Sequence, residues 1–532
     1  MNMGNSASSH ETPRVYEKTT QHFDEAYDIV VVGCGLAGAA AAIEAHDQGL
    51  RVLVIEKMPA PGGISATAGG GFLIAHNFDG AVAYLKTTNR DNIPDDVVTC
   101  FARELTTLST YIEKMAGCDG AVLSYLAGRG NYAFPGLDSF RYIVVDSIPG
   151  FDEKRDWPHV CGDGGPRAFK LFLDNLMARN VPIRLNTSAR RLIAGPDGEI
   201  RGVWAEGADG PRAIKARRGV VLACGGFEAA PEMQRQYWSL GSALSASFQG
   251  NTGDGIRMAL DAGADLWHMW HFHGSYGFRS PDPSYPLGIR IKQLPNWVPG
   301  VTEETPKMSW IVVDKSGKRF MNEYPPYLQD TGHRALDVVD LPTATFPRIP
   351  CYLIVDDDGR RLYRLGEPRF NDLQIPPMEW SGANLRDWEN ANLAEVEAGI
   401  LRQFGSVAEV AAFIGCGEDA LNSALERWNS ACESGKDADF GRPVTSMVPV
   451  RTPPFIVGEL WPIVSNTQGG PAHDAQQRIL NPFGKPIPRL YEAGEIGGAW
   501  GFLYLGGGNY SECVIGGRIA AKEIGTLRPW DM

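Results

Sequence analysis

The sequence lacks any long apolar run, because no stretch approaches the ~20 consecutive apolar residues that a membrane-spanning helix needs. It also lacks an excess of positive charge: 50 Lys and Arg stand against 63 Asp and Glu, a formal net charge of -13. That balance argues against binding to nucleic acid or to an anionic membrane surface. The nine Cys form no Cys-x-x-Cys or Cys-x-x-Cys-His, so neither a redox dithiol nor an attached haem is indicated. We expect reduced thiols in a cytoplasmic protein.

Residues 1–26 are polar and contain neither an apolar core nor a twin-Arg pair, so we expect a disordered tail without an export signal. A chain of 532 residues with 43% hydrophobic composition exceeds one ordinary domain, and it predicts two domains with a large core.

A Gly-x-Gly-x-x-Gly motif dominates the N-terminal part of the chain. It follows an apolar run at 29–32 and opens an Ala-rich helical segment, which is the strand, turn and helix order of a dinucleotide-binding unit. Gly33 permits the tight turn, Gly35 lets the backbone approach a pyrophosphate, and Gly38 lets helix and strand pack closely. The next apolar strand, at 51–55, ends in Glu56, where an acidic side chain binds ribose hydroxyls.

The loop after Glu56 is rich in glycine and small hydroxyl residues, which suits an extended cofactor lying along it. Its Gly-Gly-x-Ser segment resembles the flavoprotein subunits of the fumarate reductase and succinate dehydrogenase family. Where respiratory members carry a His bonded to FAD, this chain has Ala66, so the resemblance implies FAD held without a covalent bond. The residues expected to contact the cofactor in this loop are Lys57, Gly62, Gly63, Ser65, Gly70 and Gly71.

Several later phrases also match the family. They are a glycine doublet at 164–165 that opens a helix to about Ala178, a buried strand at 219–223 followed by glycines, and a Thr-Gly-Asp-Gly phrase at 252–255. A strand at 487–492 delivers Glu495, and a helix from Asn509 to Ile524 is expected to point its N-terminus at the flavin. The resemblance implies further cofactor contacts from Gly225, Asp254, Glu495, Asn509 and Ser511.

Two stretches carry the expected chemistry. Fumarate reductases have a catalytic Arg at the position of Tyr327, a His at Trp500 and a dicarboxylate-binding Arg at Tyr504. All three replacements remove cationic groups that fumarate needs, so a neutral carbonyl substrate fits better. Flavin-dependent 3-ketosteroid dehydrogenases resemble this chain at both points, with a Tyr after Asn-Glu and a second Tyr four residues before a Gly, here Gly508.

The resemblance implies a mechanism for these three residues. Tyr504 and the Gly508 amide stabilise enolate charge on the ketone oxygen, Tyr327 removes the α-proton, and the flavin accepts hydride from the β-carbon. A free phenol titrates near ~10, so Tyr327 needs a partner that lowers its pKa. Tyr132 and Tyr142 are candidates that the sequence does not rank.

Three alternating histidines, His268, His271 and His273, invite comparison with a metal site. No acidic partner lies nearby in the sequence. We therefore expect no metal, and we expect these side chains to line or pack near the substrate pocket.

The predicted fold is α/β, with a Rossmann-like FAD-binding domain at 27–278 and 445–532 around an inserted α+β capping domain at 279–444. Apolar spacing predicts helices at 95–115, 396–404 and 407–413. The predicted function is FAD-dependent desaturation of a cyclic ketone, either a 3-ketosteroid or a smaller cyclohexanone, with an external electron acceptor such as a quinone, O2 or another carrier.

Two alternatives stay open. One is an enone or enoate reductase of fumarate-reductase type, in which Arg334 acts as the acid. The other is a flavin-bound protein without turnover of its own.

Overall fold

The computed structural model describes residues 22–283, 285–371 and 388–532. The strands are β1 (Glu25–Val32), β2 (Val52–Ile55), β3 (Phe72–Ala75), β4 (Val122–Ala127), β5 (Phe140–Ser147), β6 (Val160–Cys161), β7 (Ile183–Arg184), β8 (Ser188–Ala194), β9 (Ile200–Gly207), β10 (Gly210–Leu222), β11 (Leu244–Ser245), β12 (Leu266–Trp267), β13 (Phe272–Arg279), β14 (Gly288–Ile291), β15 (Ile311–Val313), β16 (Cys351–Val355), β17 (Gly366–Glu367), β18 (Phe370–Asn371), β19 (Leu401–Phe404), β20 (Phe455–Thr467), β21 (Gly470–Pro471), β22 (Arg478–Leu480) and β23 (Pro486–Glu492).

The helices are α1 (Leu36–Asp47), α2 (Phe78–Asn89), α3 (Asp95–Ala116), α4 (Glu153–Asp156), α5 (Gly165–Ala178), α6 (Pro231–Tyr237), α7 (Asp254–Asp261), α8 (Leu328–Thr331), α9 (Ala394–Glu397), α10 (Val407–Ile414), α11 (Glu418–Ser434) and α12 (Gly508–Thr526).

The first sheet has the order β22-β23-β10-β1-β2-β7, with β8 and β9 joined to it through β10. Strand β1 lies parallel to both β10 and β2, and β23 lies parallel to β10. The central strands are continuous apolar runs because side chains cover both of their faces. This parallel sheet with helices confirms the predicted Rossmann-like α/β fold.

Helices α1 and α12 pack tightly on one face of that sheet. The Ala-rich sequence of α1 allows the close approach, and so does Gly517 of α12, where an added Cβ would lie 2.5 Å from the carbonyl oxygen of Ala37. Helices α3 and α5 complete this core beside the antiparallel sheet β3-β5-β4. The predicted helix at 95–115 is confirmed, and the apolar residues that predicted it are buried: Phe101, Leu105, Leu108 and Ile112.

The second sheet has the order β15-β16-β20-β13-β14-β17, with β11 and β19 also paired to β20. The long strand β20 is its centre. Helices α10 and α11 cover one face, where Trp428 is buried against Ile311 and Val457. The other face packs around Trp310 and Phe278. This sheet and its helices form the cap over the carboxyl edge of the first sheet.

The cap sheet includes β13, which begins before residue 279, and β20, which lies beyond residue 444. The strands that flank the predicted insertion therefore form its centre, and the predicted boundaries of 279 and 444 stay a prediction.

The helix predicted at 407–413 is confirmed as α10. The helix predicted at 396–404 is wrong, because residues 401–404 form β19, which pairs with β20. Most of the predicted tail lies outside the described residues, and β1 begins at Glu25. In the part of the chain that the structure describes, no helix combines the length and the hydropathy that crossing a membrane requires.

Candidate active site

A long cleft runs from the carboxyl edge of the parallel sheet into the cap. One part has about 750 Å³ of empty space and lies at the ends of β1, β2 and β10. A second part of about 1370 Å³ lies between the glycine-rich loop, the start of α12 and the cap. Ile64, Ser65, Glu495 and Cys513 line both parts. We call the first part the nucleotide cleft and the second the substrate cavity, since parallel sheets bind ligands at this edge.

The three glycines of the first turn have different surroundings. Gly33 has a positive φ of 103°, and an added Cβ would lie 2.4 Å from the carbonyl oxygen of Ala223. At Gly38 the Cβ would lie 2.0 Å from the oxygen of Gly33. Gly35 lines the nucleotide cleft, and its Cβ would meet nothing closer than 3.4 Å. The N-cap residue of α1, Gly35, has no side chain to bind the first-turn amides, and Ser65 accepts that of Leu36. The amides that follow Leu36 are available to phosphate.

Glu56 is held at the end of β2 by two backbone amides. Its carboxylate accepts hydrogen bonds from the N–H groups of Cys34, at 2.7 Å, and Met58, at 2.9 Å. Burial raises the pKa of Glu56. Each oxygen keeps a further lone pair, and the residue lines the nucleotide cleft, as a ribose-binding carboxylate would.

Lys57 and Asp254 bind one another at the nucleotide cleft. The Lys57 ammonium donates to Asp254 Oδ2 at 2.7 Å and to Thr252 Oγ1 at 2.7 Å. Burial opposes ionisation of Asp254, but the hydrogen bond and charge of Lys57 outweigh it and lower the pKa of Asp254. Both predicted residues line the cleft, and their ion pair ties the Thr-Gly-Asp-Gly phrase to the end of β2.

The glycine-rich loop lies between the two parts of the cleft. Ser65 Oγ accepts the N–H of Leu36 at 3.1 Å, which joins the loop to the start of α1. Gly70 has a positive φ of 73°, and its Cβ would lie 2.2 Å from the carbonyl carbon of Gly164. The glycine doublet therefore packs against this loop. The remaining predicted residues, Gly62, Gly63 and Gly71, also line the cleft.

Two buried carboxylates meet below the cleft. Glu495 accepts the N–H of Thr467 at 2.8 Å, and burial raises the pKa of Glu495 to about 7. Glu228, which the sequence analysis missed, accepts from Asn251 Nδ2 at 2.7 Å. Burial and the charge of Glu495 raise the pKa of Glu228 well above its usual value. Gly225 makes room for this group, because an added Cβ would lie 2.5 Å from Asn251.

The start of α12 places three predicted residues in different roles. Asn509 lines the substrate cavity, and its N–H donates to Tyr504 Oη at 3.2 Å. The Gly508 N–H donates to the oxygen of Leu505 at 2.9 Å, and its predicted contact with a ketone stays a prediction. The Ser511 hydroxyl donates to the carbonyl of Leu73 at 2.7 Å, inside the protein rather than toward the cofactor.

Tyr327 and Tyr504 both line the substrate cavity, although 177 positions separate them in the sequence. Their ring centroids are 6.4 Å apart with the rings nearly parallel. The ring of His273 lies 4.3 Å from that of Tyr504 and 5.7 Å from that of Tyr327. The structure therefore brings the two predicted phenols together around a histidine.

Both phenols are protonated at neutral pH. Burial and then the neighbouring Tyr504 raise the pKa of Tyr327 well above its usual value. Burial also raises the pKa of Tyr504, while the hydrogen bond from Asn509 opposes that shift. Burial lowers the pKa of His273 to about 4, so its ring is neutral. Its Nδ1 lies 2.8 Å from the side-chain oxygen of Asn466.

A buried carboxylate, Asp330, organises the wall behind these rings. It accepts from Tyr132 Oη at 2.6 Å and from the N–H of Tyr504 at 3.0 Å. Burial opposes ionisation, but interaction with His271 outweighs it and lowers the pKa of Asp330 to about 2. The hydroxyl of Tyr132 is therefore hydrogen-bonded to Asp330. Tyr142 instead lines the cavity, and burial raises its pKa to about 12.

The backbone of Tyr327 is held in an unusual conformation, with a positive φ of 49° immediately before α8. Such a conformation persists where the surroundings enforce it. The segment just before Tyr327 is anchored by ion pairs: Arg319 binds Glu323 through two hydrogen bonds of 2.7 and 2.8 Å and also contacts Asp437. Arg442 reaches the same Glu323 at 3.5 Å.

The cap adds cavity residues that no motif predicted: Arg290, Gln293, Asn296, Gln329, Arg369 and Asn466. Arg290 follows β13 on the neighbouring strand β14, and Arg369 precedes β18. The sequence carries no spacing signal for them, because the cap sheet brings together segments that are far apart. Two of these residues are cationic, which the predicted loss of positive charge did not anticipate.

Arg334, the acid of the alternative hypothesis, lies outside the substrate cavity. Its guanidinium donates to the oxygen of Phe502 at 2.6 Å, and it lines a separate pocket with His271 and His333. The role of Arg334 as proton donor in the alternative function stays a prediction.

Of the three alternating histidines, only His273 lines the substrate cavity. His271 Nδ1 lies 2.7 Å from the oxygen of Trp500, and His268 Nε2 lies 3.1 Å from that of Gly498. Within the described ranges, no group of three or more His, Cys, Asp or Glu is arranged to hold a metal ion.

Comparisons with known proteins agree with this geometry. A family model described as "FAD binding domain" matches residues 28–510. The chain is 28% identical to a digoxin reductase of Eggerthella lenta, over 95% of this chain and 88% of that protein. It is 27% identical to a fumarate reductase (cytochrome) of Shewanella frigidimarina, over 93% and 76%.

Among solved structures, the fold is similar to that of a 3-ketosteroid Δ1-dehydrogenase from Sterolibacterium denitrificans in complex with 1,4-androstadiene-3,17-dione. The TM-score is 0.76 at 25% identity, covering 94% of this chain and 99% of that one. The comparisons therefore agree on the cofactor and on the class of reaction.

Proposed function

The chain belongs to the FAD binding domain family and is an FAD-dependent oxidoreductase, and from this premise we propose that it introduces a double bond α,β to the carbonyl of a cyclic ketone. The observation that carries the proposal is Tyr504. Its hydroxyl oxygen accepts the Asn509 N–H at 3.2 Å while the side chain lines the substrate cavity. The hydroxyl proton is therefore left to donate to a ketone oxygen.

The residues of the nucleotide cleft fit FAD. The start of α1, where Gly35 provides no side-chain cap, suits the pyrophosphate, and Glu56 suits a ribose. Any Cβ at Gly35 would narrow the space that the cofactor occupies. Ala66 is buried in the loop and has no group able to bond to a flavin, which supports non-covalent binding. FAD, when bound, supplies the acceptor for the hydride that leaves the β-carbon, and an external carrier such as a quinone or O2 later removes those electrons.

Tyr504 acts on the developing negative charge. As the α-proton leaves, charge accumulates on the ketone oxygen, and a fixed O–H donor there stabilises it by about 3 kcal/mol. The Asn509 amide, at the positive end of α12, strengthens this donor by binding its oxygen.

Tyr327 takes the α-proton in this proposal. Its phenol must first release its own proton to solvent water, which burial opposes, and the charge of Arg290 favours the resulting phenolate. The C–H bond at the α-carbon breaks toward Tyr327, the β C–H bond gives its electron pair to the acceptor, and the C=C bond forms between the two carbons. The proton count and the electron count are then balanced.

The reverse activity, reduction of an enone, is the second candidate. The observation that favours it is the protonation of Tyr327, because a buried neutral phenol is already the form that donates a proton to a carbon. The same Tyr504 would polarise the carbonyl in that direction. Arg334, which lines a separate pocket, is not needed in either direction as proposed.

The test uses the holoenzyme under anaerobic conditions. We expect a saturated cyclic ketone, either a 3-ketosteroid or a cyclohexanone, to bleach the flavin absorbance of the wild type. Tyr327→Phe should slow bleaching at least 1000-fold, because it removes the proton acceptor while keeping the ring. Tyr352→Phe, which alters a buried tyrosine of the cap core far from the cavity, is the matched control and should bleach as the wild type does.

Other outcomes have distinct meanings. No bleaching by either ketone, together with reoxidation of dithionite-reduced enzyme by an enone, would establish the reductase instead. A protein whose flavin neither ketone reduces nor enone reoxidises would have no turnover of this type. Normal bleaching by Tyr327→Phe would contradict the assigned role of Tyr327.

A further inference from the structure

The substrate cavity contains a guanidinium without a carboxylate partner. Arg290 lies on β14, is partly buried and lines the cavity. Its hydrogen-bond partner is the side-chain oxygen of Gln329, which is neutral. Among residues 22–283, 285–371 and 388–532, no carboxylate oxygen lies within 4.0 Å of it. Glu367, on the paired strand β17, and Asp163 attract Arg290 only from a longer distance. Holding a cation away from water without a direct ion pair is unfavourable, so the cavity is poised to accept an anion.

A second arginine strengthens the positive field without cancelling it. Arg369 lines the same cavity, and its charge is balanced by an ion pair with Asp163. Burial and the nearby charge of Arg369 lower the pKa of Arg290 to about 10. The neighbouring ion pair of Lys292 and Glu367 adds one charge of each sign. Three cations thus stand beside two carboxylates at this end of the cavity, which leaves one positive charge.

The neutral side chains here also present donors. The Nε2 atom of Gln329 and the Nδ2 atom of Asn466 are buried and have no hydrogen-bond partner among the described residues. Both residues line the cavity. An oxygen-rich ligand would satisfy these atoms, whereas a hydrocarbon surface would leave them unpaired.

We propose that the substrate is a cyclic keto acid, whose ketone binds Tyr504 and whose carboxylate binds Arg290 with Arg369 at the cap side of the cavity. This inference rests on the proposed function. The fork of an arginine matches a carboxylate with two parallel hydrogen bonds. The single uncompensated charge matches a monoanion. The carboxylate is unchanged in the reaction and serves to orient the ring.

The experiment compares a pair of ketones that differ only in charge. We would measure kcat/KM of the holoenzyme for 4-oxocyclohexane-1-carboxylate and for its carboxamide. The wild type should prefer the acid on the order of 100-fold, as expected when a buried charge pair is lost. In Arg290→Gln that preference should disappear, and in Arg290→Lys it should fall to about 10-fold because the charge stays while the fork is lost.

The matched control is Arg279→Gln. Arg279 is exposed on the neighbouring strand β13, where it stacks over Trp461, and the substitution should leave the preference unchanged. If Arg290→Gln does not retain FAD, the Arg290→Lys variant still tests the inference. An unchanged acid-to-amide ratio in both variants would overturn it, including the case in which both substrates slow equally because Arg290 acts only on Tyr327.

A binding measurement separates this inference from the proposed function. Cyclohexanecarboxylate has no ketone to react, and its binding is followed by the shift in the absorbance of oxidised flavin. Its Kd should rise at least 30-fold in Arg290→Gln, whereas the weak binding of cyclohexanecarboxamide should not change. This result without ketone turnover would refute the proposed function but keep the anion site. Turnover of both ketones, together with carboxylate binding that does not depend on Arg290, would keep the proposed function but refute the anion site.

Discussion

The nucleotide cleft and the substrate cavity are continuous but are built in different ways. The cleft is made mainly of backbone: the turn at Gly33, the uncapped start of α1 and the glycine-rich loop. The cavity is made of side chains such as Tyr327 and Arg290, which stand on short strands and loops of the cap. Backbone sites need particular glycines at fixed spacing, whereas side-chain sites need only the right groups in the right place.

This difference explains which region tolerates substitution. At Gly33 and Gly38, an added methyl group collides with main chain that cannot move without disturbing the sheet. In the cavity, a changed side chain alters the ligand that fits while the fold is maintained. A common FAD site can thus serve different substrates, as the names of the similar proteins illustrate.

The largest expected effect is at Gly38. In Gly38→Ala the new Cβ would lie 2.0 Å from the carbonyl oxygen of Gly33, so α1 and β1 cannot keep their contact. We expect the variant to purify without FAD or not to fold. The measurement is the flavin-to-protein ratio together with circular dichroism.

Gly35→Ala and Gly417→Ala are the variants to compare with Gly38→Ala. The Cβ at Gly35 would meet nothing closer than 3.4 Å, so this variant should fold but bind FAD more weakly because the cradle is narrowed. Gly417 has a φ of -70° and open space around it, so its variant should behave as the wild type. A Gly38→Ala protein with full flavin content would contradict the proposed basis of the cleft.

Next in size is the loss of a single cavity donor. Tyr504→Phe keeps the ring stacked near Tyr327 but removes the hydroxyl that faces the ketone. We expect kcat to fall by roughly 100- to 1000-fold, as when one oxyanion donor is lost, while FAD binding is unchanged. Stopped-flow flavin reduction measures the rate, and flavin content is the control. A reduction rate within threefold of the wild type would remove Tyr504 from the mechanism.

The contrast between the backbone-built cleft and the side-chain-built cavity also decides how much of each the sequence could predict. The turn at Gly33 and the position of Glu56 were predictable because their function fixes the spacing. Tyr327 and Tyr504 were predictable from resemblance to a family rather than from physics. Arg290 was not predictable, because its place in the cavity depends on the pairing of β14 with β13. The sequence around residue 290 does not indicate that pairing.

One error has a physical reason of the same kind. Residues 401–404 carry helical spacing but form β19, because residues 455–458 of β20 are available for pairing.

The role of the Gly508 amide at the ketone was implied by the resemblance to 3-ketosteroid dehydrogenases, and it stays a prediction. In the structure the turn before α12 uses that amide for its own hydrogen bond, and the Asn509 amide reaches Tyr504 instead.

A smaller effect concerns the carboxylates under the cleft. Glu512 accepts hydrogen bonds from the Ala499 amide and from Trp500 Nε1, and burial raises its pKa to about 8. The Glu512 carboxyl holds its proton more tightly in the folded state than in the unfolded state, where its pKa is ~4.5. The stabilisation that this gives the folded state is therefore complete below pH 4.5. The stabilisation is then lost as pH rises toward 8, by at most about 5 kcal/mol.

Glu512→Gln tests the predicted loss of stability with rising pH. The amide oxygen can still accept from Trp500, but it carries no charge at any pH. We expect the wild type to lose stability in urea between pH 5 and pH 8 more steeply than the variant does, and the variant to be the more stable above pH 8. Parallel pH curves for the two proteins would show that Glu512 is not protonated in the folded state.

The smallest expected effect marks where the cleft ends. Ser511 lies one turn into α12, and its hydroxyl donates to the carbonyl of Leu73 rather than facing the cleft. Ser511→Ala should therefore cost about 1 kcal/mol of stability and leave the Kd of FAD unchanged. Ser65→Ala is the matched change, since Ser65 lines both parts of the cleft and holds the Leu36 amide, and it should weaken FAD binding about 10-fold. Equal losses of FAD affinity in the two variants would place Ser511 at the cofactor and extend the cleft into the body of α12.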